Sequence, residues 1–465
     1  MAVVVVVGAG PTGLAAACGL AVRGVPVRVV DAADGPARTS RALGLQPRGA
    51  EVLDRLDALG DLPERSVGVE RVVVHVGGRR VGELRVGEPT ELVRRPGLLV
   101  SQAEVEARLR RRLDGLGVRV EWGTRVEGLA REDGRVVLAT SAGPVDAGWV
   151  VGCDGAHSVV RAAAGIGFPG VSLVEGFVLG DARVDLPLPR DAVGVWVRGG
   201  GMFSAFPLPG GVWRFMAPAP GTLVADVPAV LARLAERHAG LRIGPAAEWV
   251  WTSVFRIHRR LADRYRRGRV LLAGDAAHVH SPFGGQGMNT GLGDAENLAW
   301  RLALVVPGRA GQGLLDGYEA ERRPVASDVL ASTSGLTGLV LGESAPARAV
   351  RDRVLFPLLG LPPVRRLVWE HASQLRTGYA RSPFGRRPRV GDRVAGAARL
   401  TGFRWTLAAP PDSGCAPVAR EVLGDVREVH RDGEALLVRP DGHLAWRGRA
   451  EPDALRRALA VMLDR

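Results

Sequence analysis

The chain has 465 residues, 46% of them apolar and 24% charged, which is typical of a soluble globular protein with two or three domains. Its net charge is +13, yet it contains no lysine, and its 62 arginines are interspersed with acidic residues rather than gathered with aromatic ones, which disfavours nucleic-acid binding. The three cysteines lack a CxxC spacing, and no segment is long and apolar enough for a membrane span. We therefore expect a cytoplasmic protein without disulfides, bound metal or a membrane span.

The first predicted element along the chain is a β-α-β unit. An apolar strand, Val3–Val7, is followed by the glycine-rich turn Gly8–Gly13, a helix of small residues to about Val22, and a second strand, Val25–Val30. The G-x-G-x-x-G spacing predicts a tight turn that holds a pyrophosphate at a helix N-terminus, and Asp31 would accept hydrogen bonds from a ribose. The unit indicates a dinucleotide, but these residues alone leave FAD and NAD both open.

A second strand–turn–helix unit is predicted further along. We expect an amphipathic helix over residues 101–116 and strands near Val118–Glu121 and Val136–Ala139. Residues 149–161 then predict a buried strand, an acidic turn at Asp154 and the start of another helix.

Residues 170–260 have a different character. Short apolar strands alternate with glycine and proline turns, which predicts an antiparallel sheet inserted into the nucleotide-binding fold. Its aromatic side chains are candidates for lining a substrate cavity, although strand alternation should send half of them into ordinary core. The candidates are Trp196, Phe203, Phe206, Trp213 and Phe215, together with Phe283 from the next motif.

Residues 268–306 form the most informative run of the chain. A buried strand leads into an acidic turn at Asp275, and a glycine-rich loop over residues 284–291 begins a predicted helix. Such a loop brings backbone N–H groups close to a bound ring or phosphate. The only two asparagines of the chain, Asn289 and Asn297, lie in this run, which suggests a specific polar task.

Other interpretations stay open for individual residues. Asp275 could cap the following turn instead of contacting a ligand, and Arg161 could be a solvated helix residue. His278 and His280 could bind a metal, but packing or capping is favoured because no third ligand is placed near them.

The remainder of the chain combines helices with a small α/β module. Helices are predicted over residues 314–380, and a module of alternating strands is predicted over residues 385–465, ending in a helix that begins at Pro452. The module has no redox cysteine pair, so we expect its role to be structural.

Three motifs in this order resemble those of the class A flavoprotein monooxygenases, the FAD-dependent aromatic hydroxylases: Gly8–Gly13 with Asp31, the turn at Asp154, and the turn at Asp275. The tail around residues 437–447 resembles the third domain of the polyketide hydroxylase and rifampicin monooxygenase branch. The resemblance implies an α/β fold with a Rossmann-like FAD-binding domain, an inserted antiparallel-sheet substrate domain and a C-terminal thioredoxin-like domain. The implied boundaries are 1–170 with 261–330 for the FAD-binding domain, 171–260 for the substrate sheet, 331–384 for a helical linker, and 385–465 for the thioredoxin-like domain without CxxC.

Roles for individual residues follow from the resemblance alone. It assigns Gly8, Gly10, Thr12 and Gly13 to the FAD pyrophosphate, Asp31 to the adenosine ribose, Val126 to the adenine, Arg41 and Gln102 to the cofactor, Asp275 to the ribityl or pyrophosphate portion, and Pro282, Gly284, Gly285, Gly287, Met288 and Asn289 to the surroundings of the isoalloxazine ring. Asp154 and Arg161 resemble a fingerprint linked to both FAD and NADPH. The family often has glutamate where this chain has Asp31, and the shorter carboxylate still reaches a ribose.

The implied activity is that of an NADPH- or NADH-dependent monooxygenase. In the family, reduced FAD binds O₂ as a C4a-hydroperoxide that attacks an aromatic substrate, here a polyketide-like metabolite or antibiotic. Baeyer–Villiger oxygenation and a non-catalytic FAD- or ligand-binding role stay open, whereas a halogenase is disfavoured because that class needs a lysine. The implied partners are the small aromatic substrate, O₂ and NAD(P)H, and a homodimer is one assembly left open.

Overall fold

The computed structural model describes the backbone of residues 3–39, 42–198, 201–219, 225–280, 284–341, 349–350, 353–354, 358, 361–380, 388–394 and 402–464, and the side chains within these ranges except those of 172–175, 257 and 334–341. Three predicted site residues, Arg41, Pro282 and Phe283, lie outside the described residues. None of the helices in the described ranges is both long and apolar enough to cross a bilayer.

The strands in these ranges are numbered in chain order. They are β1 (Val4–Val7), β2 (Val27–Val30), β3 (Gly44–Leu45), β4 (Val67–Val69), β5 (Arg71–Val76), β6 (Arg79–Arg85), β7 (Gly97–Leu99), β8 (Val120–Glu121), β9 (Val126–Glu132), β10 (Arg135–Thr140), β11 (Gly143–Ala147), β12 (Trp149–Gly152), β13 (Gly170–Arg183), β14 (Ala192–Arg198), β15 (Gly201–Pro207), β16 (Val212–Pro218), β17 (Glu248–Leu261), β18 (Arg266–Arg267), β19 (Val270–Leu272), β20 (His278–Val279), β21 (Trp405–Ala409), β22 (Val426–His430), β23 (Ala435–Val438) and β24 (Leu444–Gly448).

The α-helices are numbered in the same way. They are α1 (Pro11–Val22), α2 (Pro47–Arg55), α3 (Gln102–Gly115), α4 (Val159–Ala163), α5 (Val227–Ala239), α6 (Gly287–Val305), α7 (Asp316–Leu341), α8 (Pro362–Ala372), α9 (Cys415–Leu423) and α10 (Pro452–Met462).

The first sheet is the nucleotide-binding type that the β-α-β pattern predicts. Its order is β18-β19-β12-β1-β2-β8, and all neighbours except β18 and β19 are parallel. All four residues of β1 are valines and all are buried, as parallel strands covered on both faces should be. The carboxyl ends of β1, β12 and β19 lie side by side, and ligands of such sheets bind at this edge.

The second sheet has eight strands in the order β20-β17-β13-β16-β15-β14-β5-β6. Its neighbours are antiparallel except for β14 and β5, which are parallel. The sheet extends beyond the predicted range 171–260, because β5 and β6 come from residues 71–85. The sequence prediction missed these two strands, although they form an antiparallel hairpin around Gly77 and Gly78. Their place in the sheet depends on the parallel pairing of β5 with β14, which leaves no local signature.

The C-terminal module contains a four-stranded sheet with the order β22-β21-β23-β24. Strands β21 and β22 are parallel and joined by α9, whereas β23 pairs antiparallel to both β21 and β24. The closing helix from Pro452 is confirmed. The module shares one hydrophobic core with the first sheet, and a Cβ added to Gly19 of α1 would lie 3.1 Å from the Phe403 ring.

A buried polar cluster, named here the Asp441 network, joins this module to α2, α6 and α7. Its members are Arg48, Arg55, Glu296, Arg301, Glu321, Arg439 and Asp441. The Glu296 carboxylate accepts from Arg48 at 2.7 Å and from Arg55 at 2.5 Å. Because α6 is buried along nearly its whole length, the cluster lies in the interior of the protein.

Two acids of the Asp441 network, Asp441 and Glu321, are held in their charged form. Burial by itself raises the pKa of Asp441, but Arg439 and His443 outweigh it and bring the pKa well below its usual range. The pKa of Glu321 is likewise lowered to about 2, because Arg439 and Arg301 outweigh the effect of burial. Both carboxylates are therefore ionised at neutral pH.

Candidate cofactor and substrate site

A cavity of about 1560 Å³ separates the carboxyl edge of the first sheet from one face of the eight-stranded sheet. The turns after β1, β12 and β19 and the loop before α6 line one end of it. Valine, leucine and methionine side chains of the large sheet line the other end, and α8 also lines the cavity. The three sequence motifs thus share one cavity with an apolar sheet surface.

The glycines of the first turn meet different requirements. Gly8 has φ +104°, and a Cβ there would lie 2.4 Å from the Cys153 carbonyl oxygen; a Cβ on Gly13 would lie 1.9 Å from the Gly8 oxygen. These two positions need glycine for the fold itself. A Cβ on Gly10 would meet no atom within 4 Å, so glycine there keeps space open at the N-terminus of α1.

Thr12 connects the turns. A Cβ on Gly274 would lie 2.5 Å from the Thr12 hydroxyl oxygen, and one on Gly291 would lie 2.2 Å from it. The first turn, the Asp275 turn and the start of α6 therefore pack directly against one another.

A smaller pocket of about 270 Å³ opens beside the first turn, and Asp31, Val126 and Asp154 contribute to its walls. Both Asp31 oxygens accept backbone hydrogen bonds, from Ala9 at 2.6 Å and Ala33 at 2.8 Å. Asp31 therefore shapes the turn, and its contact with a ribose stays a prediction.

In the second motif, the charged side chains of Asp154 and Arg161 form hydrogen bonds to other groups of the protein. The Asp154 carboxylate accepts from the Ser158 hydroxyl at 2.6 Å and from the Val160 amide at 3.1 Å, which fixes the start of α4. The Arg161 guanidinium donates to the carbonyls of Ala276 and Ala156. Arg161 is buried, so the alternative of a solvated helix residue is wrong.

Asp275 is the acidic group of the site whose carboxylate faces the cavity. Its neighbour Gly274 has φ +61° and donates its amide to Asp294 of α6 at 3.1 Å, which fixes the turn. Removal from bulk water raises the pKa of the Asp275 carboxyl, and His278 offsets part of the effect. Within the described part of the chain, no hydrogen-bond donor reaches this carboxylate. A carboxylate that is exposed to a cavity and accepts no hydrogen bond from the protein is a good candidate for contact with a ligand.

His278 is a packed residue rather than a metal ligand. Its Nε2 lies 2.6 Å from the Asp294 carboxylate, and its ring stacks between those of Tyr265 and His280. Arg322 also donates to Asp294, at 2.7 Å, so this carboxylate has two side-chain partners besides the Gly274 amide.

The loop before α6 forms the floor of the cavity next to these turns. Gly284 and Gly285 have φ +86° and +60°, and both line the cavity together with Gly287 and Met288. The N-terminus of α6 therefore opens toward the cavity, where its dipole favours negative charge. Gln102 at the start of α3 also lines this end.

Asn289 requires a correction. We expected Asn289 among the surroundings of the isoalloxazine ring, but its side chain is fully buried and absent from the cavity wall. Its amide nitrogen donates to the carbonyls of Gly44 and Gly285, and its oxygen accepts from the Gln46 amide at 2.9 Å. The side chain thus fastens the start of α2 to the glycine loop, and Gln46, which sequence analysis missed, lines the cavity in its place.

Four of the predicted aromatic substrate contacts also require correction. Trp196, Phe203, Trp213 and Phe215 lie in the core between the sheet and α5, on the face away from the cavity. Phe206 lines the cavity. Strand alternation explains the division, since Trp213 and Phe215 share one face of β16, and Arg214 and Met216 share the other.

The cavity face of the sheet contains polar residues that sequence analysis missed. Ser204 and Arg214 lie among Met202, Met216 and Phe206. Arg214 is paired with Asp181 through two contacts of 2.7 Å. The only sequence signal for them was their alternation with the large aromatic residues, which does not tell which face meets a ligand.

Comparisons with known proteins agree with this geometry. A family model described as FAD binding domain matches residues 1–333, and one described as Aromatic-ring hydroxylase, C-terminal, matches residues 400–465. Together they span the cofactor motifs and the C-terminal module.

Relatives match over nearly the whole chain. The 6-methylpretetramide 4-monooxygenase of Streptomyces rimosus is 36% identical, with 96% of this chain and 90% of that protein covered. The rifampicin monooxygenase of Streptomyces venezuelae is 37% identical, covering 98% and 97%. The solved structure of CabE, an aromatic hydroxylase from angucycline biosynthesis, has a TM-score of 0.81 at 33% identity, with 99% of both chains covered. A dialkyldecalin synthase of Streptomyces rugosporus, 32% identical over 98% of this chain and 97% of its own, is also similar.

Proposed function

The chain belongs to the family of FAD-dependent aromatic-ring hydroxylases and is a flavin monooxygenase, and we propose that it uses NAD(P)H and O₂ to hydroxylate a polycyclic aromatic, polyketide-like compound. The balanced reaction takes one substrate C–H, O₂, NAD(P)H and a proton to a C–OH, water and NAD(P)⁺. The observation that carries the proposal is the single cavity that joins the nucleotide motifs to an apolar sheet surface.

The chain's residues fit FAD. The smaller pocket beside Asp31 and Val126 suits the adenosine, and the open space at Gly10 suits the pyrophosphate. Asp275 would accept hydrogen bonds from the ribityl or pyrophosphate portion. The positive φ angles of Gly284 and Gly285 suit a flat ring lying against backbone N–H groups.

FAD supplies the O₂ activation when it is bound. The start of α6 would stabilise negative charge at the pyrimidine end of the ring through its dipole and free N–H groups. The valine-rich sheet face and α8 would exclude water from the reacting carbon.

The sheet end of the cavity supports a substrate that is mostly flat and apolar. Phe206, Met202 and Met216 offer broad, adaptable contacts, and Ser204 and the Arg214–Asp181 pair offer a polar patch for a substrate oxygen. A polycyclic phenol or quinone has this distribution of apolar surface and oxygen atoms.

We also propose the finer division of the chain. The FAD-binding part would comprise 1–170 and 261–330, with the substrate sheet from 171–260 augmented by β5 and β6. A thioredoxin-like C-terminal module is supported by the β22-β21-β23-β24 order, with one parallel pair followed by an antiparallel hairpin and a helix. A single G-x-G-x-x-G turn follows a strand, so NAD(P)H would dock transiently rather than in a nucleotide domain of its own.

The proposal is tested by NADPH oxidation with a panel of anthraquinone, angucycline and ansamycin compounds, followed by mass spectrometry of products formed under ¹⁸O₂. We expect substrate-stimulated NADPH oxidation and one ¹⁸O atom per product. Insertion of the label into a ring C–C bond would indicate Baeyer–Villiger chemistry. Conversion that proceeds without O₂ and NADPH would replace the proposal with an isomerising or cyclising activity.

A further inference from the structure

The C-terminal module is connected to the Asp275 turn by a continuous series of contacts through Tyr379. This residue lies between α8 and the module, and its amide donates to the Gly391 carbonyl at 2.7 Å. Gly391 in turn donates to the Leu444 carbonyl at 2.8 Å, so the Tyr379 backbone is attached to the module. Its ring lies 4.3 Å from the ring of His443, centroid to centroid, and 5.2 Å from the Arg439 guanidinium carbon.

The hydroxyl of Tyr379 is linked through Arg322 to the Asp275 turn. Arg322 of α7 donates to the Tyr379 hydroxyl at 3.0 Å and to the Asp294 carboxylate at 2.7 Å. Asp294 accepts from the amide of Gly274, the residue before Asp275. Arg322 is 3% exposed and Asp294 is fully buried, so neither has bulk water as a substitute partner.

The same arginine holds the start of α6. Its second terminal nitrogen donates to the Thr290 carbonyl at 3.0 Å, in the first turn of the helix that follows the glycine loop. One side chain thus fixes both the Asp275 turn and the loop that faces the proposed flavin ring, and its own orientation depends on the Tyr379 hydroxyl.

We propose that Tyr379 is a positioning residue for the cofactor, through which the C-terminal module sets the geometry of the Asp275 turn and of the α6 N-terminus. This inference rests on the proposed location of FAD. A guanidinium whose three nitrogens each have an acceptor has one orientation, and loss of the acceptor at one terminal nitrogen allows it to tilt relative to Asp294 and Thr290. The module would therefore contribute to cofactor affinity without touching the cofactor.

The three tyrosines of the chain make a matched experiment, because all three surround the same buried charges. Tyr379→Phe removes the hydroxyl that accepts from Arg322 and keeps the ring beside His443. Tyr318→Phe removes a hydroxyl that donates to the Leu272 carbonyl at 2.7 Å, a buried hydrogen bond outside the series of contacts. Tyr265→Phe removes a buried hydroxyl that has no hydrogen-bond partner among the described residues.

The measurements are the equilibrium dissociation constant of FAD from diluted holoenzyme, the visible circular dichroism of bound flavin, and the thermal midpoint at saturating FAD. We expect Tyr379→Phe to weaken FAD binding about three- to tenfold and to change the flavin spectrum. Tyr265→Phe should match the wild type, and Tyr318→Phe should lower the thermal midpoint while its FAD affinity stays within twofold.

Two results would overturn the inference and leave the proposed function intact. One is a Tyr379→Phe enzyme with wild-type FAD affinity and flavin spectrum. The other is an equal loss of affinity in Tyr379→Phe and Tyr318→Phe, in proportion to their thermal midpoints, which would indicate general destabilisation. A wild-type protein that binds no FAD would instead overturn the proposed function, and this inference with it.

Discussion

The cavity and the Asp441 network are both polar regions inside the protein, but they satisfy their polar groups in opposite ways. In the cavity, Asp275 has no donor among the described residues, and Gly10 has empty space where a side chain would be. In the network, Glu296 and Glu321 each accept from two arginines. A charge that faces a cavity without a protein partner indicates a ligand, whereas a buried charge with two partners indicates a structural joint.

The comparison explains why α6 has two distinct parts. Its first turn lies against the cavity, where Asn289 fastens the glycine loop to Gly44 and Gln46. Its middle lies against the network, where Asn297 donates to Glu321 at 2.8 Å and to Asp441 at 3.3 Å. The polar task shared by the chain's two asparagines is therefore to fasten the helix to its neighbours.

The largest effect is expected where the network loses an acid. Glu296→Gln would leave Arg48 and Arg55 without their shared carboxylate in the interior, at a cost of about 3–5 kcal/mol in the free energy of unfolding. Denaturant unfolding measures this change. The exposed pair Glu421 and Arg456 provides the control, and Glu421→Gln should leave the unfolding curve unchanged. Equal stability of the two variants would break the distinction between network and surface.

The two faces of the large sheet should also separate stability from substrate selection. Phe203→Ala would open a hole in the fully buried core under α5 and cost about 3–5 kcal/mol of unfolding free energy. Phe206→Ala removes a side chain that lines the cavity, so we expect a smaller loss of stability and a larger change in KM for the substrate. Steady-state kinetics and thermal unfolding of both variants check this assignment, which an unchanged KM in Phe206→Ala would contradict.

Asp275→Asn should weaken FAD binding and stabilise the protein without FAD. Loss of a charge-assisted hydrogen bond corresponds to about 1.5–3 kcal/mol of binding free energy. Burial raises the pKa of Asp275 in the folded protein, so the ionised carboxylate lowers the stability of the folded state. This loss is absent below the unfolded pKa of about 3.9 and develops as pH rises through the folded pKa.

The thermal midpoint of the Asp275→Asn apoprotein should therefore exceed that of the wild type at pH 7, and the difference should vanish below pH about 4. Thermal scans at both pH values, with FAD titrations at pH 7, measure the two effects. A variant that binds FAD normally would remove Asp275 from the cofactor site.

The smallest expected effect concerns Gly10. Because its φ is −71° and a Cβ there meets nothing within 4 Å, Gly10→Ala should leave the apoprotein as stable as the wild type. A pyrophosphate in that space would meet the new methyl group, so FAD affinity should fall at least about tenfold, or about 1.4 kcal/mol. Gly13→Ala is the contrasting variant, since its Cβ would overlap the Gly8 oxygen and impair folding.

Local patterns were sufficient to predict which motifs meet. Each motif follows a parallel strand, and parallel strands of one sheet end at the same edge, so the turns at Gly8, Asp154 and Asp275 share a cavity. The contacts that hold this edge in place were not predictable, because Asn289 bonds to a residue 243 positions away. The same limit applies to Phe203 and Phe206: alternation separates the two faces, but only the position of α5 decides which face is core.

The Asp441 network also determines when, during synthesis of the chain, α2 and α6 can become fully buried. Arg48 donates to the carbonyl of a residue 393 positions later, which corresponds to about 20–80 s of synthesis at about 5–20 residues per second. During that interval α2 has been made, but the turn that covers its arginines has not. Final burial of α6 is therefore a late event in the production of the protein, although the nucleotide-binding turn at Gly8–Gly13 is synthesised long before it.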